Sequence, residues 1–168
     1  MSRDDLLDSL LKDYGRLFDI SSPCFLCGRQ TLAYCRFTSR SERYVLIKRA
    51  VIWAAESNEH VVVIWIDKLD EEAVNGVSDY FSKLEAELVK PHREHMYSFI
   101  TVVALCGDTV PGAAGLARKA RFTKNYKFTL HGYCIGRFAA ADLKSGGVFA
   151  NAAGKPLIRF LKNKMKAV

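Results

Sequence analysis

Asp67 and Asp108 each stand at the end of an apolar run. Carboxylates placed there can hold a hard cation at the edge of an α/β sheet. Under that reading the chain is a metal-assisted hydrolase or phosphoryl-transfer enzyme. Asp67 and Asp108 would share a magnesium ion, and His131 would serve as acid, base or ligand. The reading requires the two carboxylates to converge on one cleft. Thr109 and Gly112 open a segment read as a helix, whose free amides would receive a phosphate or carboxylate. The phosphate-binding pattern G-x-x-x-x-G-K-[ST], the zinc pattern H-E-x-x-H and the serine elbow G-x-S-x-G are all missing from the sequence.

A second constellation is basic and aromatic. Between residues 118 and 133 the chain has no acid, and it interleaves cations with Phe122, Tyr126, Phe128 and Tyr133. Lys and Arg neutralise phosphates, and exposed aromatic rings stack on bases. The expected ligand-binding residues are Arg118, Arg121, Lys124, Lys127, His131 and Tyr133, and the expected partner is nucleic acid or another polyanion. This reading needs no cofactor. It requires Arg118, Lys124, Lys127 and Lys162 to share one face. A third reading, a structural subunit without ligand, predicts an exposed apolar surface instead.

Cys24 and Cys27 form a C-x-x-C-G-R pattern like one knuckle of a zinc ribbon. A structural zinc site needs four ligands, and no second C-x-x-C follows, so the pair is only a weak metal candidate. The odd count of five cysteines reads as free thiols, with Cys106 and Cys134 in the core.

The net charge of +7 is unevenly placed. Residues 1–108 carry 13 basic and 17 acidic side chains, whereas residues 109–168 carry 12 basic ones and the single acid Asp142. Such asymmetry points to an anionic partner or a polar interface. The acidic start, Met1 to Asp5, lacks a signal-peptide core, and no apolar run approaches the ~18 residues of a membrane span. The expectation is a cytoplasmic protein with no membrane partner, one globular domain over residues 1–168.

The elements that must position these residues follow from periodicity. Leu6, Leu7, Leu10, Leu11 and Tyr14 recur at helical spacing behind a Ser2–Asp5 capping box, predicting a helix over 3–17. Strands are expected over 31–38, 44–55 and 60–66, joined by polar turns at 39–43 and 56–59 as an antiparallel meander. Asp70 caps a helix whose seam is Val74, Val77, Phe81, Leu84 and Leu88, and Lys90-Pro91 ends it. The run from Tyr97 to Cys106 reads as a strand buried on both faces. A helix over 110–121 and a long alternating strand over 126–143 come next, with His131 in the polar register beside Lys127, Thr129 and Tyr133. Gly132 and Gly136 mark bends or close backbone approach. A turn at 144–147, a short strand and a helix over 155–166 close the chain. The fold class is α/β, in the mixed α+β sense. It is a single mixed sheet of about six strands with an N-terminal antiparallel meander, one β-α-β crossover and flanking helices at both ends.

Overall fold

A computed structural model describes residues 2–44 and 51–167. The first helix, α1 (Arg3–Tyr14), begins at the predicted capping box: the Ser2 hydroxyl accepts from the Asp5 amide, and the Asp5 carboxylate accepts from the Ser2 amide. The strands β1 (Asp19–Ser21), β2 (Cys24–Leu26), β3 (Arg29–Thr31), β4 (Ala33–Tyr44) and β5 (Val51–Leu69) follow. Then come α2 (Glu71–Leu88), β6 (His95–Thr109), α3 (Ala113–Ala117), β7 (Phe122–Asn125), β8 (Tyr133–Asp142), β9 (Val148–Ala150) and α4 (Lys155–Ala167).

Seven strands form one mixed sheet in the order β1-β4-β5-β6-β8-β7, with β9 also on β8, and β2-β3 is a separate hairpin. β1, β4 and β5 pair antiparallel, but the meander expected over 31–38, 44–55 and 60–66 differs: the first strand lies in β4, residues 51–55 and 60–66 belong to the single strand β5, and β1 is an added edge. β5, β6 and β8 pair in parallel, with Val62 opposite Val102 and Val102 opposite Phe138. The β5-α2-β6 crossover is therefore present. The fold is the mixed α/β class expected, with more strands than expected.

Alternation along the strands divides the core in two. Val62, Ile64, Val102 and Ala104 pack against Val74, Val77, Phe81 and Leu84 of α2 and Ala113 and Ala117 of α3. Val61, Val63, Val103 and Leu105 pack against Leu6 and Leu10 of α1 and Leu161 of α4. Burying each of the Val, Leu, Ile and Phe side chains contributes about 1.5–3 kcal/mol. Both crossovers pass over the α2 face, so the parallel strands step in one direction. There is no reversal of strand order among them, which is where open α/β sheets form their ligand crevices.

Three boundaries differ from expectation. The turns at 39–43 and 56–59 are strand instead. They face each other across a two-stranded ribbon, with Thr38 opposite Asn58 and Arg40 opposite Glu56, so one polar run satisfies the other. Residues 45–50 of the strand expected over 44–55 lie outside the described residues. The helix expected over 110–121 shrinks to the five residues of α3, because Gly112 at its start is left-handed and Phe122 leaves for β7.

The long strand expected over 126–143 is broken. β7 and β8 are antiparallel, and residues 126–132 connect them as turns. His131 is thus in a turn and not in the polar register of a strand. Among the described residues, no helix is long and apolar enough to cross a membrane.

Candidate nucleic-acid interface

The helices α1 and α4 cover only one end of their sheet face, over the carboxyl halves of β5, β6 and β8. Toward the amino ends of those strands the same face is half-buried. Register places Tyr97 opposite Tyr133, Phe99 opposite Ile135, and Ser57 and Glu59 beside them on β5. The Tyr97 and Tyr133 rings stack at 6.0 Å between centroids, and Tyr97 meets Phe99 at 4.8 Å. The Arg137 guanidinium lies 3.5 Å from the Phe99 ring centroid, the geometry of a cation–π contact. Arg137 also sits 3.9 Å from Glu59. Tyr14 and Phe18, in contact at 5.2 Å, close the boundary toward α1, where Phe18 meets Phe37 at 5.6 Å.

A rim of cations surrounds this aromatic floor. At the amino edge a cleft of about 390 Å³ is lined by Arg93, Met96, Thr129 and Tyr133. On the other side Arg121 shares a groove with Thr123 and Ile135. Arg93, Arg121 and Lys127 form no ion pair among the described residues.

The loop 126–132 supplies the amino rim. Lys127, Phe128 and Thr129 are consecutive left-handed residues, with φ of 45°, 53° and 72°. Each costs ~1–2 kcal/mol in a side chain other than glycine. The conformation survives because its base is fixed. The Tyr126 amide donates to the Gly132 carbonyl, and His95 Nδ1 lies 2.7 Å from the His131 carbonyl. The Tyr126 hydroxyl donates to the buried Glu85 carboxylate at 2.7 Å. Gly132 has φ +75°, and a Cβ there would run into the carbonyl oxygens of His95 and Met96, so glycine is required. At Gly136 a Cβ would lie 2.8 Å from that of Phe122 and 3.0 Å from the Phe81 ring. Both glycines mark the close approach that the sequence predicts. The loop holds Phe128 97% exposed and Leu130 77% exposed.

The six expected ligand-binding residues divide. Tyr133 lies on the aromatic floor, and Arg121 and Lys127 lie at its rim. The His131 ring is part-buried in the loop; burial, then Lys127 and Arg93, hold its pKa below the usual value. Lys124 shares the α2 face with Phe122, and its ammonium is 2.7 Å from Glu85. Arg118 caps α3 in the same layer, whereas Lys162 belongs to α4 in the opposite layer. The requirement that Arg118, Lys124, Lys127 and Lys162 share a face is not met. Alternation along β7 turns Lys124 to the α2 face, where it pairs with Glu85, and the two helices lie on opposite sides of the sheet.

The magnesium site expected at Asp67 and Asp108 is not formed. Lys68 pairs with Asp108, so Asp67 is directed to the α1 face and Asp108 to the other. Asp67 accepts from the Trp65 indole at 2.6 Å, and Asp108 is held by Lys144 at 2.7 Å and by the Thr109 amide. Lys144 keeps the Asp108 carboxyl below the usual carboxylate range. The Thr109 hydroxyl donates to Asp142, and Gly112 opens a helix too short for an appreciable dipole.

Cys24 and Cys27 flank a tight hairpin. The Cys24 sulfur lies 2.9 Å from the Thr31 hydroxyl, and the Cys27 thiol donates to Glu87 at 3.0 Å. Burial pushes the Cys27 thiol up to about 12, far from the thiolate a metal needs. No group of three or more His, Cys, Asp or Glu able to hold a metal occurs among the described residues. Cys106 and Cys134 are buried, as expected.

The fold and surface define a three-layer α/β protein with one half-open aromatic sheet face. A family model described as a domain of unknown function (DUF8052) matches residues 2–163, and the chain belongs to that family. No curated protein and no solved structure matches it.

Proposed function

We propose that this is a binding protein that lays a single strand of nucleic acid across the open half of the sheet. One observation supports the reading: Tyr97, Phe99 and Tyr133 form a contiguous aromatic floor that no helix covers among the described residues. Single-stranded bases stack on such platforms, each contributing about 1–3 kcal/mol, while cations at the rim follow the phosphates. Arg93, Arg121 and Lys127 are placed for the second task, and the exposed Phe128 ring offers one more stacking surface at the amino edge. Bound RNA would be told from DNA only through its 2′-hydroxyls.

The test is fluorescence anisotropy with labelled single-stranded RNA and DNA of the same sequence, repeated across salt concentrations. Binding should weaken as salt rises, with a slope of about −2 in log K against log salt if three rim cations contact the phosphates of a single strand. Tyr133→Ala and Phe99→Ala should each weaken binding roughly 5- to 150-fold. Wild-type protein that binds neither oligonucleotide at low salt, or a Tyr133→Ala variant that binds as well as wild type, overturns the proposal.

A further inference from the structure

On the opposite face of the same sheet, beneath the end of α2, lies a second cleft of about 450 Å³. That volume suits a small molecule. Its floor comes from β4 and β5, where register sets Arg36 against His60. His60 is 4% exposed, and its Nδ1 is 2.8 Å from the Tyr34 hydroxyl, with the two rings parallel within 7°. The other ring nitrogen has no protein partner among the described residues, yet His60 contributes to the cleft wall. Among the described residues no buried side-chain nitrogen or oxygen lacks a partner, so this nitrogen reaches the cleft surface, where a ligand or water can meet it.

The remaining polar groups sort by whether they are already engaged. Thr38 donates to Asn58, Asn58 to Glu56, and Glu56 lies 3.5 Å from His92. Glu87 accepts the Cys27 thiol. Both acids of the cleft are thus occupied. Arg36 and Lys90 form no ion pair among the described residues. Lys90 also follows the carbonyl end of α2, where a cation offsets the negative pole of the helix. The unengaged groups are a guanidinium, an ammonium and a ring nitrogen. When the phenol of Tyr34 donates to Nδ1, the proton of the neutral ring sits on the nitrogen that faces the cleft, so all three are donors. Burial raises the Tyr34 phenol to about 12, which keeps it protonated and able to donate.

We infer that this cleft binds a small molecule through a compact oxyanion, a carboxylate or a phosphate monoester, received by Arg36, Lys90 and His60. The site is separate from the aromatic face and does not depend on it. Tyr34 is a positioning residue, fixing the tautomer of His60 without touching the ligand.

Calorimetric titration of the full chain with inorganic phosphate and, separately, with succinate tests this. Saturable binding of at least one probe is expected, and the preferred probe identifies the oxyanion. Arg36→Ala should weaken that binding about tenfold or more, since a charge-assisted hydrogen bond is lost. Arg36 is exposed, so the variant should fold as wild type does. Tyr133→Ala, on the other face, should leave the affinity unchanged. Saturable binding by neither probe, undiminished binding in Arg36→Ala, or loss of binding in Tyr133→Ala overturns the inference.

Discussion

At the scale of single residues, His60 and Thr129 carry the sharpest consequences. Burial, then Arg36, pushes the His60 ring down to about 4 from 6.5. The unfolded chain takes up this proton near pH 6.5, whereas the folded chain refuses it until about pH 4. More protons are bound by the unfolded state across that window, so stability is lost as pH falls through it. Between about pH 7 and pH 5 the loss from this residue should be about 2 kcal/mol, and His60→Gln should remove it. Urea unfolding of both proteins at the two pH values measures the difference; equal slopes with pH refute the assignment. Thr129 is β-branched and left-handed at φ 72°. Thr129→Gly should therefore raise stability by about 1 kcal/mol, read as an upward shift in the urea midpoint. Lower stability in that variant would mean the conformation is not strained. The positive φ of Thr129 left no trace in the sequence, because threonine is among the residues least expected there. Gly132 and Gly136 were legible, because only glycine admits a backbone or a ring so close.

Among elements, the joint between β7 and β9 explains the most. Both pair with the outer edge of β8, β7 at residues 133–136 and β9 at residues 139–141. The Asn151 side chain fills the gap between them. Its Oδ1 accepts from the Phe138 amide at 3.1 Å and the Gly154 amide at 2.7 Å, and its Nδ2 donates to the Ala120 and Gly136 carbonyls. A side-chain amide thus does what a strand backbone would do. Asn151→Ala should cost about 3 kcal/mol or more, because several buried backbone groups lose partners together. Thermal and urea unfolding would show it, and a loss below ~1 kcal/mol would mean that water replaces the amide. Sequence periodicity found α1, α2, α4 and the parallel pair β5 and β6, since each shows a repeated apolar pattern. It missed the extended β4–β5 ribbon, whose polar residues pair with one another and so mimic turns. It also read Tyr97 and Phe99 as buried on both faces. The register that sets them beside Tyr133 belongs to a different part of the chain and cannot be seen locally.

For the molecule as a whole, charge asymmetry along the chain does not become one basic face. Lys119 pairs with Glu71, Lys124 with Glu85, Lys144 with Asp108 and Lys164 with Asp13. The acidic first part and the basic last part fold against each other, and these four cations meet their acids at the seams. The pairs at the surface contribute little to stability, because water screens them. They set the arrangement of charge instead. Around the aromatic floor, Arg93, Arg121 and Lys127 form no ion pair among the described residues, and under the proposed reading they would steer an anionic strand. Replacing all three with Gln should reduce the salt slope of single-strand binding by about two while sparing the stacking contribution. A triple variant with the wild-type salt slope would place the phosphates elsewhere.

The one-directional order of β5, β6 and β8 also governs how fast the chain reaches this arrangement. Val102 of β6 waits for Val62 on one side and Phe138 on the other, and neither partner arrives through a tight turn. A parallel strand gains its hydrogen bonds only after a long loop has closed, so refolding belongs on the slow, millisecond-to-second side of small domains. During synthesis β5 and β6 emerge before β8 exists. Until then the apolar edge of β6 that β8 will occupy is unpaired, and the nascent chain is most prone to self-association over that interval.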